Sequence, residues 1–195
     1  MNANCGAERE RLDAIERYGV LDTPPDGTFD RITTLAAELF DVPIALVSIV
    51  DEDRIWFKSR YGLDDVVEIS RDPGLCASAI LSDAPYIVEA ARSDPRTLLN
   101  PLVSGAFGLQ FYAASALKTA DGHRLGTLCI IDREPRIFSP RQAKILDHLA
   151  AIVMDEMDLR LATIHTVNEM RAETARAQRT GVSADAGSSA QNALK

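Results

Sequence analysis

The chain is poor in the residues that build metal and disulfide sites: its 195 residues include three cysteines, three histidines and one tryptophan. Cys5, Cys76 and Cys129 are odd in number and far apart, with no Cys-x-x-Cys spacing. That pattern argues against a disulfide framework or a structural zinc site and for reduced thiols in a reducing compartment. His123, His148 and His165 include no i,i+4 pair, so no metal site is expected. A Gly-x-x-x-x-Gly-Lys run is missing, which removes nucleotide hydrolysis on a phosphate-binding loop. Positive charge is also scarce. Twenty-one Lys and Arg stand against 29 Asp and Glu, for a net charge of -8, and such a field repels nucleic acid and anionic membranes. The longest apolar stretch, Val42 to Val50, falls well short of the roughly 20 residues that span a bilayer, and the polar segment from Met1 to Arg11 is unlike a signal peptide. The expected location is the cytoplasm, with neither nucleic acid nor membrane as partner.

What is present suits a folded, water-exposed domain: 46% apolar and 26% charged residues. Glu8 to Tyr18 reads as an amphipathic helix with Gly19 at its αL cap. The prolines and glycine of Leu21 to Gly27 break it. Phe29, Ile32, Leu35, Ala36, Leu39 and Phe40 then repeat at helical spacing, with Asp26 or Thr28 as N-cap and Pro43 as the stop. Ile44 to Val50 is almost continuously apolar, as expected of a central strand covered on both faces, and the turn Asp51-Glu52-Asp53 joins it to the strand Ile55 to Ser59. That acidic turn is either a solvated hairpin tip or a cation site.

Gly62 to Gly74 is polar and irregular; a short helix over Leu75 to Leu81 and a brief strand at Tyr86-Ile87-Val88 follow. Ala91 to Leu109 is dense in Pro, Gly and Asn, the composition of a long loop with one helical turn, and such loops carry binding function. Phe111 to Leu117 and Arg124 to Ile131 form a second hairpin around Asp121-Gly122. Ser139-Pro140-Arg141-Gln142 is a capping box with proline at the first helical position. The helix it starts keeps an apolar stripe as far as Met170, longer than one small sheet covers, so part of it is expected to project or pair. From Thr180 the composition turns to Gly, Ser, Ala and Asn, and this tail is expected to be disordered. The expected organisation is a flexible start over 1–7, one domain over 8–162, a helical extension over 163–178 and a disordered tail over 179–195.

The order of elements is that of an α+β sensory fold, PAS and GAF among them. Six segments in one order narrow it: Gly19-Val20-Leu21-Asp22-Thr23-Pro24, Phe29-Asp30-Arg31-Ile32-Thr33, Val42-Pro43-Ile44-Ala45-Leu46-Val47-Ser48, Arg54-Ile55-Trp56-Phe57-Lys58-Ser59, Asn100-Pro101-Leu102-Val103, and Leu125-Gly126-Thr127-Leu128-Cys129-Ile130-Ile131-Asp132. Together they resemble a bacterial signalling branch of the GAF domain family. The resemblance implies a central antiparallel β-sheet of five to six strands, N- and C-terminal helices on one face, and a loop- and short-helix-covered pocket on the other. It also implies a small-molecule-sensing or regulatory module that is not an enzyme, acting through its terminal helices on a partner carried by another chain. The chain departs from the branch at Gly74, Leu75 and Ser78, where serine, phenylalanine and histidine are usual, and at Gln110, where arginine is usual; Cys76 is kept.

A pocket is expected between the central strands and the segments Leu75 to Leu81 and Asn100 to Phe111. Ser48, Cys76, Ser78 and Tyr112 are its expected polar contacts, and Trp56, Phe57, Phe107, Phe111 and Tyr112 its aromatic candidates. Of these, Ser48, Trp56, Cys76, Ser78, Phe111 and Tyr112 form the candidate ligand-binding set. Cys76, near a helix start, reads as a redox-sensing thiol, a chromophore attachment point or a plain buried cysteine. Cys129 reads as packing. The bound ligand is unassigned, no metal or nucleotide motif marks a cofactor, and a homodimer through the terminal helices is expected from the apolar stripe. Two alternatives stand beside the sensor: an interaction or dimerisation domain without ligand, supported by Ser78 and Gln110, and a thiol enzyme using Cys76.

Overall fold

The computed structural model describes residues 3–63 and 65–191. They divide into two units, Met1–Glu156 and Met157–Lys195. The first unit holds helices α1 (Ala3–Tyr18) and α2 (Gly27–Phe40), then strands β1 (Ile44–Val50), β2 (Arg54–Tyr61) and β3 (Glu68–Ser70). Helix α3 (Leu75–Ala79), strand β4 (Tyr86–Val88), helix α4 (Pro101–Ser104) and strands β5 (Phe111–Lys118) and β6 (Arg124–Asp132) follow, and α5 (Pro140–Gln191) begins in this unit. The second unit is helical through Gln191, with Leu159, Ile164 and Met170 exposed.

The two predicted hairpins, β1 with β2 and β5 with β6, form the middle of one antiparallel sheet. Its order is β3-β2-β1-β6-β5-β4, so the hairpins join through β1 and β6. All seven residues of β1 are buried, as a strand with two covered faces requires. Register then sorts side chains by face. Ile44, Leu46, Ser48 and Val50 look to one side, opposite Ile131, Cys129 and Thr127 of β6. The other side is covered by α2, which lies along β1 and β2, and by α1 against β6. Helix α5 starts on that side, where Gln142 stands beside Phe111 and Ile130, and Phe138 stacks at 5.5 Å on both Phe40 and Phe111.

A register shift opposite Val47 and Ser48 makes Lys58 an extra residue in β2. Lys58 and Ser59 consequently both turn to the helix face. The Lys58 ammonium donates to Thr23 Oγ1 and the Pro24 carbonyl, both at 2.8 Å, and lies 5.5 Å and 5.9 Å from the ring centres of Phe29 and Trp56. Ser59 donates to Asp30 at 2.7 Å and shares a hydrogen bond with Thr33, tying β2 to α2.

Local signals in the sequence appear as expected. Asp26 caps α2 by accepting from Thr28 N–H at 2.9 Å; Gly19 ends α1 with φ +56. Ser139 and Gln142 exchange capping-box hydrogen bonds at the start of α5. Three differences arise. Strand β3 falls in the stretch read as irregular, because three residues pairing with an edge carry too little pattern to see. Helix α2 ends at Asp41, which adopts φ 51 and donates its N–H to the Ala37 and Glu38 carbonyls, ahead of Pro43. The helical bounds are also wider than expected, α1 beginning at Ala3 and α5 running to Gln191, since extending a formed helix fixes one residue per hydrogen bond whereas starting one fixes several. Residues 192–195 of the expected tail lie outside the described residues.

One arginine links the two sides of the sheet. Arg71, just after β3, donates to Glu8 of α1 at 2.6 Å and to the carbonyls of Asp51 and Glu52. Glu8 is also gripped by Arg11, at 2.8 and 2.9 Å. The Arg11 hydrogen bonds, opposed by partial burial and reinforced by Arg71, hold the Glu8 carboxyl at about 2, well below the usual 4.5.

Two predictions follow from this architecture. A Cβ on Gly126 would stand 1.8 Å from the Ser48 carbonyl oxygen, in the middle of the β1–β6 ladder. Gly126→Ala is expected to lose about 3 kcal/mol in urea unfolding, because backbone on both sides must move; a loss within experimental error would show that the strands separate freely. For Glu8, the unfolded chain binds more protons than the folded one between the two carboxyl values, so stability rises with pH across that window. The stability advantage of wild type over Glu8→Gln is expected to be full above pH about 4.5 and to shrink as pH falls towards about 2. Denaturant titrations of both proteins across that range measure it, and a difference independent of pH contradicts the assignment.

Candidate functional site

The face of the sheet turned away from α2 carries a second hydrophobic core, roofed by α3, α4 and the loops beside them. Within it lies a cavity of about 130 Å³. Its floor is Leu46, Phe57, Tyr112 and Ile131 from four strands, with Ile69 of the edge strand β3; its roof is Leu63, Val66, Leu75, Cys76, Leu102, Phe107 and Leu109. The size is comparable with the roughly 150 Å³ of an engineered apolar cavity that holds benzene.

The roof is pinned at few points. Asn100 caps α4 by accepting from Leu102 N–H at 2.8 Å, and its amide donates to the Pro73 carbonyl at 2.8 Å, joining the segment before α3 to the segment before α4. Gly74 lets α3 start close to the sheet: a Cβ there would fall 2.2 Å from Ile55 Cδ1.

Polar atoms gather at one end of the cavity. The Tyr112 hydroxyl donates to Cys76 Sγ at 3.2 Å. Ser48 and Thr127, neighbours across the β1–β6 ladder, share a hydrogen bond at 2.8 Å between their hydroxyls. Cys129 lies on the same face, paired with Leu46 and Ala114. Hydrogen bonding from Cys129 is the main influence lowering the Cys76 thiol; burial opposes it, while Ser48, Tyr112 and Thr127 assist. Cys129 is driven upward, first by its hydrogen bond to Cys76 and then by burial. Of the two thiols, Cys76 is therefore the one shifted towards the thiolate. Burial and the neighbouring sulfurs raise the Tyr112 phenol, so it stays a donor.

The candidate residues divide by face. Cys76 and Tyr112 meet at the cavity wall, with Ser48 beside them in the polar cluster. Trp56 and Phe111 sit on the opposite face, against Lys58 and Phe138. Ser78 is exposed on α3. Gln110 is buried, and its amide donates to the Leu109 carbonyl. Phe57 and Phe107, also aromatic candidates, do line the cavity. Sequence reasoning missed Thr127 and Cys129 in the polar cluster. Their alternation with Ile131 on β6 was the available signal, and it is muted because both faces of that strand are apolar. Among the described residues, no group of three or more His, Cys, Asp and Glu side chains is placed to hold a metal ion, and no helix is long and apolar enough to cross a membrane.

Among known proteins, a cyclic di-GMP phosphodiesterase of Pseudomonas aeruginosa is 40% identical over 161 residues, covering 82% of this chain and 26% of that protein. The chain therefore spans about a quarter of that relative's length. Among solved structures, a free methionine-R-sulfoxide reductase from Neisseria meningitidis in complex with its substrate superposes with a TM-score of 0.59 at 18% identity, over 80% of this chain and 90% of that one. The GAF domain of an Acinetobacter phosphoenolpyruvate-protein phosphotransferase gives 0.57 at 17% identity, over 86% and 97%. At such identities these likenesses speak for the fold alone. The family description "GAF domain" matches residues 24–157, more than half of the chain. The chain belongs to the GAF domain family.

Proposed function

We propose that the chain is a regulatory GAF module whose cavity takes a small, largely apolar molecule with one polar group, and whose α1 and α5 pass the occupied state to a signalling partner. The observation that carries this reading is the cavity itself: an apolar lining with a single polar end at Tyr112 and Cys76. A purely structural core has no need of space, since interiors pack close to crystal density. A route outward is at hand. The roof segment before α3 carries Arg71, and Arg71 holds Glu8 on α1. A ligand that moves the roof changes that contact, and binding energy that differs between two roof positions is what a sensor requires. The 40% identical segment of the Pseudomonas phosphodiesterase supports a signalling setting, with cyclic di-GMP turnover as one output that such a segment would regulate.

Self-association belongs to the same proposal. Leu159, Ile164 and Met170 are apolar and exposed, and pairing them with a second copy would bury them. The competing reading, an interaction domain without ligand, draws on exposed Ser78 and on Gln110, whose amide is spent on the neighbouring Leu109 carbonyl.

Native mass spectrometry of the full chain purified from its own host, run beside the denatured sample, tests the sensor reading. The expected result is a retained small molecule in the native spectrum, absent from Leu102→Trp, in which the larger ring fills the cavity while unfolding stability stays within about 1–3 kcal/mol of wild type. Repeated absence of any such mass in the wild type favours the interaction domain.

A further inference from the structure

Cys76 and Cys129 are both buried and free, and the ligand reading above uses neither as a thiol pair. They come from different elements, α3 and β6, which pack directly on one another. Both belong to one buried core cluster on the cavity face, with Cys129 on the strand paired with that of Tyr112, and the Cys129 side chain is the largest influence on the Cys76 thiol. Their positions are unequal: Cys76 lines the cavity, whereas Cys129 lies behind it with no exposed surface. The Tyr112 hydroxyl donates to Cys76 Sγ at 3.2 Å, and the hydroxyls of Ser48 and Thr127, 2.8 Å apart, stand on the same face of the sheet and help to lower the thiol. Such donors stabilise a thiolate and the charge that develops on it as it attacks.

We propose that Cys76 and Cys129 form a peroxide-reactive dithiol, in which Cys76 reacts first with a small organic hydroperoxide entering the cavity and Cys129 closes a disulfide behind it. In the first step the Cys76 thiolate attacks the terminal peroxide oxygen; the O–O bond breaks, Cys76 becomes a sulfenic acid, and the alkoxide leaves with a proton as an alcohol. In the second, the Cys129 sulfur attacks the Cys76 sulfur, its proton leaves with the hydroxyl as water, and the S–S bond forms. Both electrons lost by the thiol pair go to the peroxide, and the products are one disulfide, one alcohol and one water. The apolar lining selects an alkyl hydroperoxide over hydrogen peroxide, since methyl groups gain by leaving water. The bond formed would fasten the cavity roof at α3 to the central strand β6. None of this rests on the ligand reading, because the two cysteines share one core cluster whether or not another molecule fills the cavity.

The test uses the full chain carrying Cys5→Ser, treated with tert-butyl hydroperoxide or with hydrogen peroxide. Intact mass is expected to fall by two hydrogens, with peptide mapping joining Cys76 to Cys129. The reaction with tert-butyl hydroperoxide is expected to be on the order of tenfold faster than with hydrogen peroxide, and about tenfold slower in Tyr112→Phe, which removes one donor to the thiolate. In Cys129→Ser, dimedone is expected to trap a sulfenic acid at Cys76. Should that variant fail to fold, the peptide map of the parent protein decides. The proposal is overturned if Cys76 passes to the sulfinic acid while Cys129 stays reduced, or if the thiols react no faster than in the urea-unfolded chain. Faster reaction with hydrogen peroxide overturns the choice of oxidant.

Discussion

The antiparallel pairing of β1 with β6 is the contact on which the rest of the molecule depends. It joins two hairpins that are each local in sequence into one sheet, and it is covered on both sides. With water excluded from both faces, a polar side chain in the central strands is costly unless it finds a protein partner, and among the described residues Ser115 Oγ on β5 is the buried side-chain atom that finds none. On the cavity face Ser48 and Thr127 answer each other across the ladder. On the helix face the bulge at Lys58 brings an ammonium and a hydroxyl to where α2 and the loop before it offer acceptors. Gly126 is the steric side of the same constraint, because the chain passes too close to Ser48 for any side chain.

The two faces of the sheet are closed in different ways. The face under α1 and α2 is closed by aromatic stacking and by buried hydrogen bonds, and it serves stability. The other is roofed by short helices and loops, which meet the sheet through apolar side chains and have a small space left among them. Short elements with few backbone hydrogen bonds of their own open at lower cost than central strands. The parts that open most easily therefore lie together on one side of the sheet.

Much of this was legible in the sequence because the signals were local. Caps at Asp26 and Ser139, the αL glycine at Gly19 and the Asp121-Gly122 turn each act within a few residues. The site was less legible for a reason rooted in the same double burial. In β5, Phe111 and Tyr112 are both aromatic and both buried, yet register sends them to opposite faces. Nothing in the two letters distinguishes them; only the pairing with β6 does. Likewise Cys129 among Leu128 and Ile130 reads as packing until α3 is seen to carry Cys76 into the same core cluster. Arg71 and Glu8, separated by the whole of the first hairpin, carry no pattern that announces their contact.

The hydrogen bond from the Asn100 amide to the Pro73 carbonyl is a crosslink between two roof segments that are distant along the chain. Because the Asn100 side-chain oxygen also caps α4, one residue fixes both the start of that helix and its distance from the segment that leads into α3. Loss of this one side chain would uncouple two short elements at once, while the ladders of the central strands would keep their own hydrogen bonds.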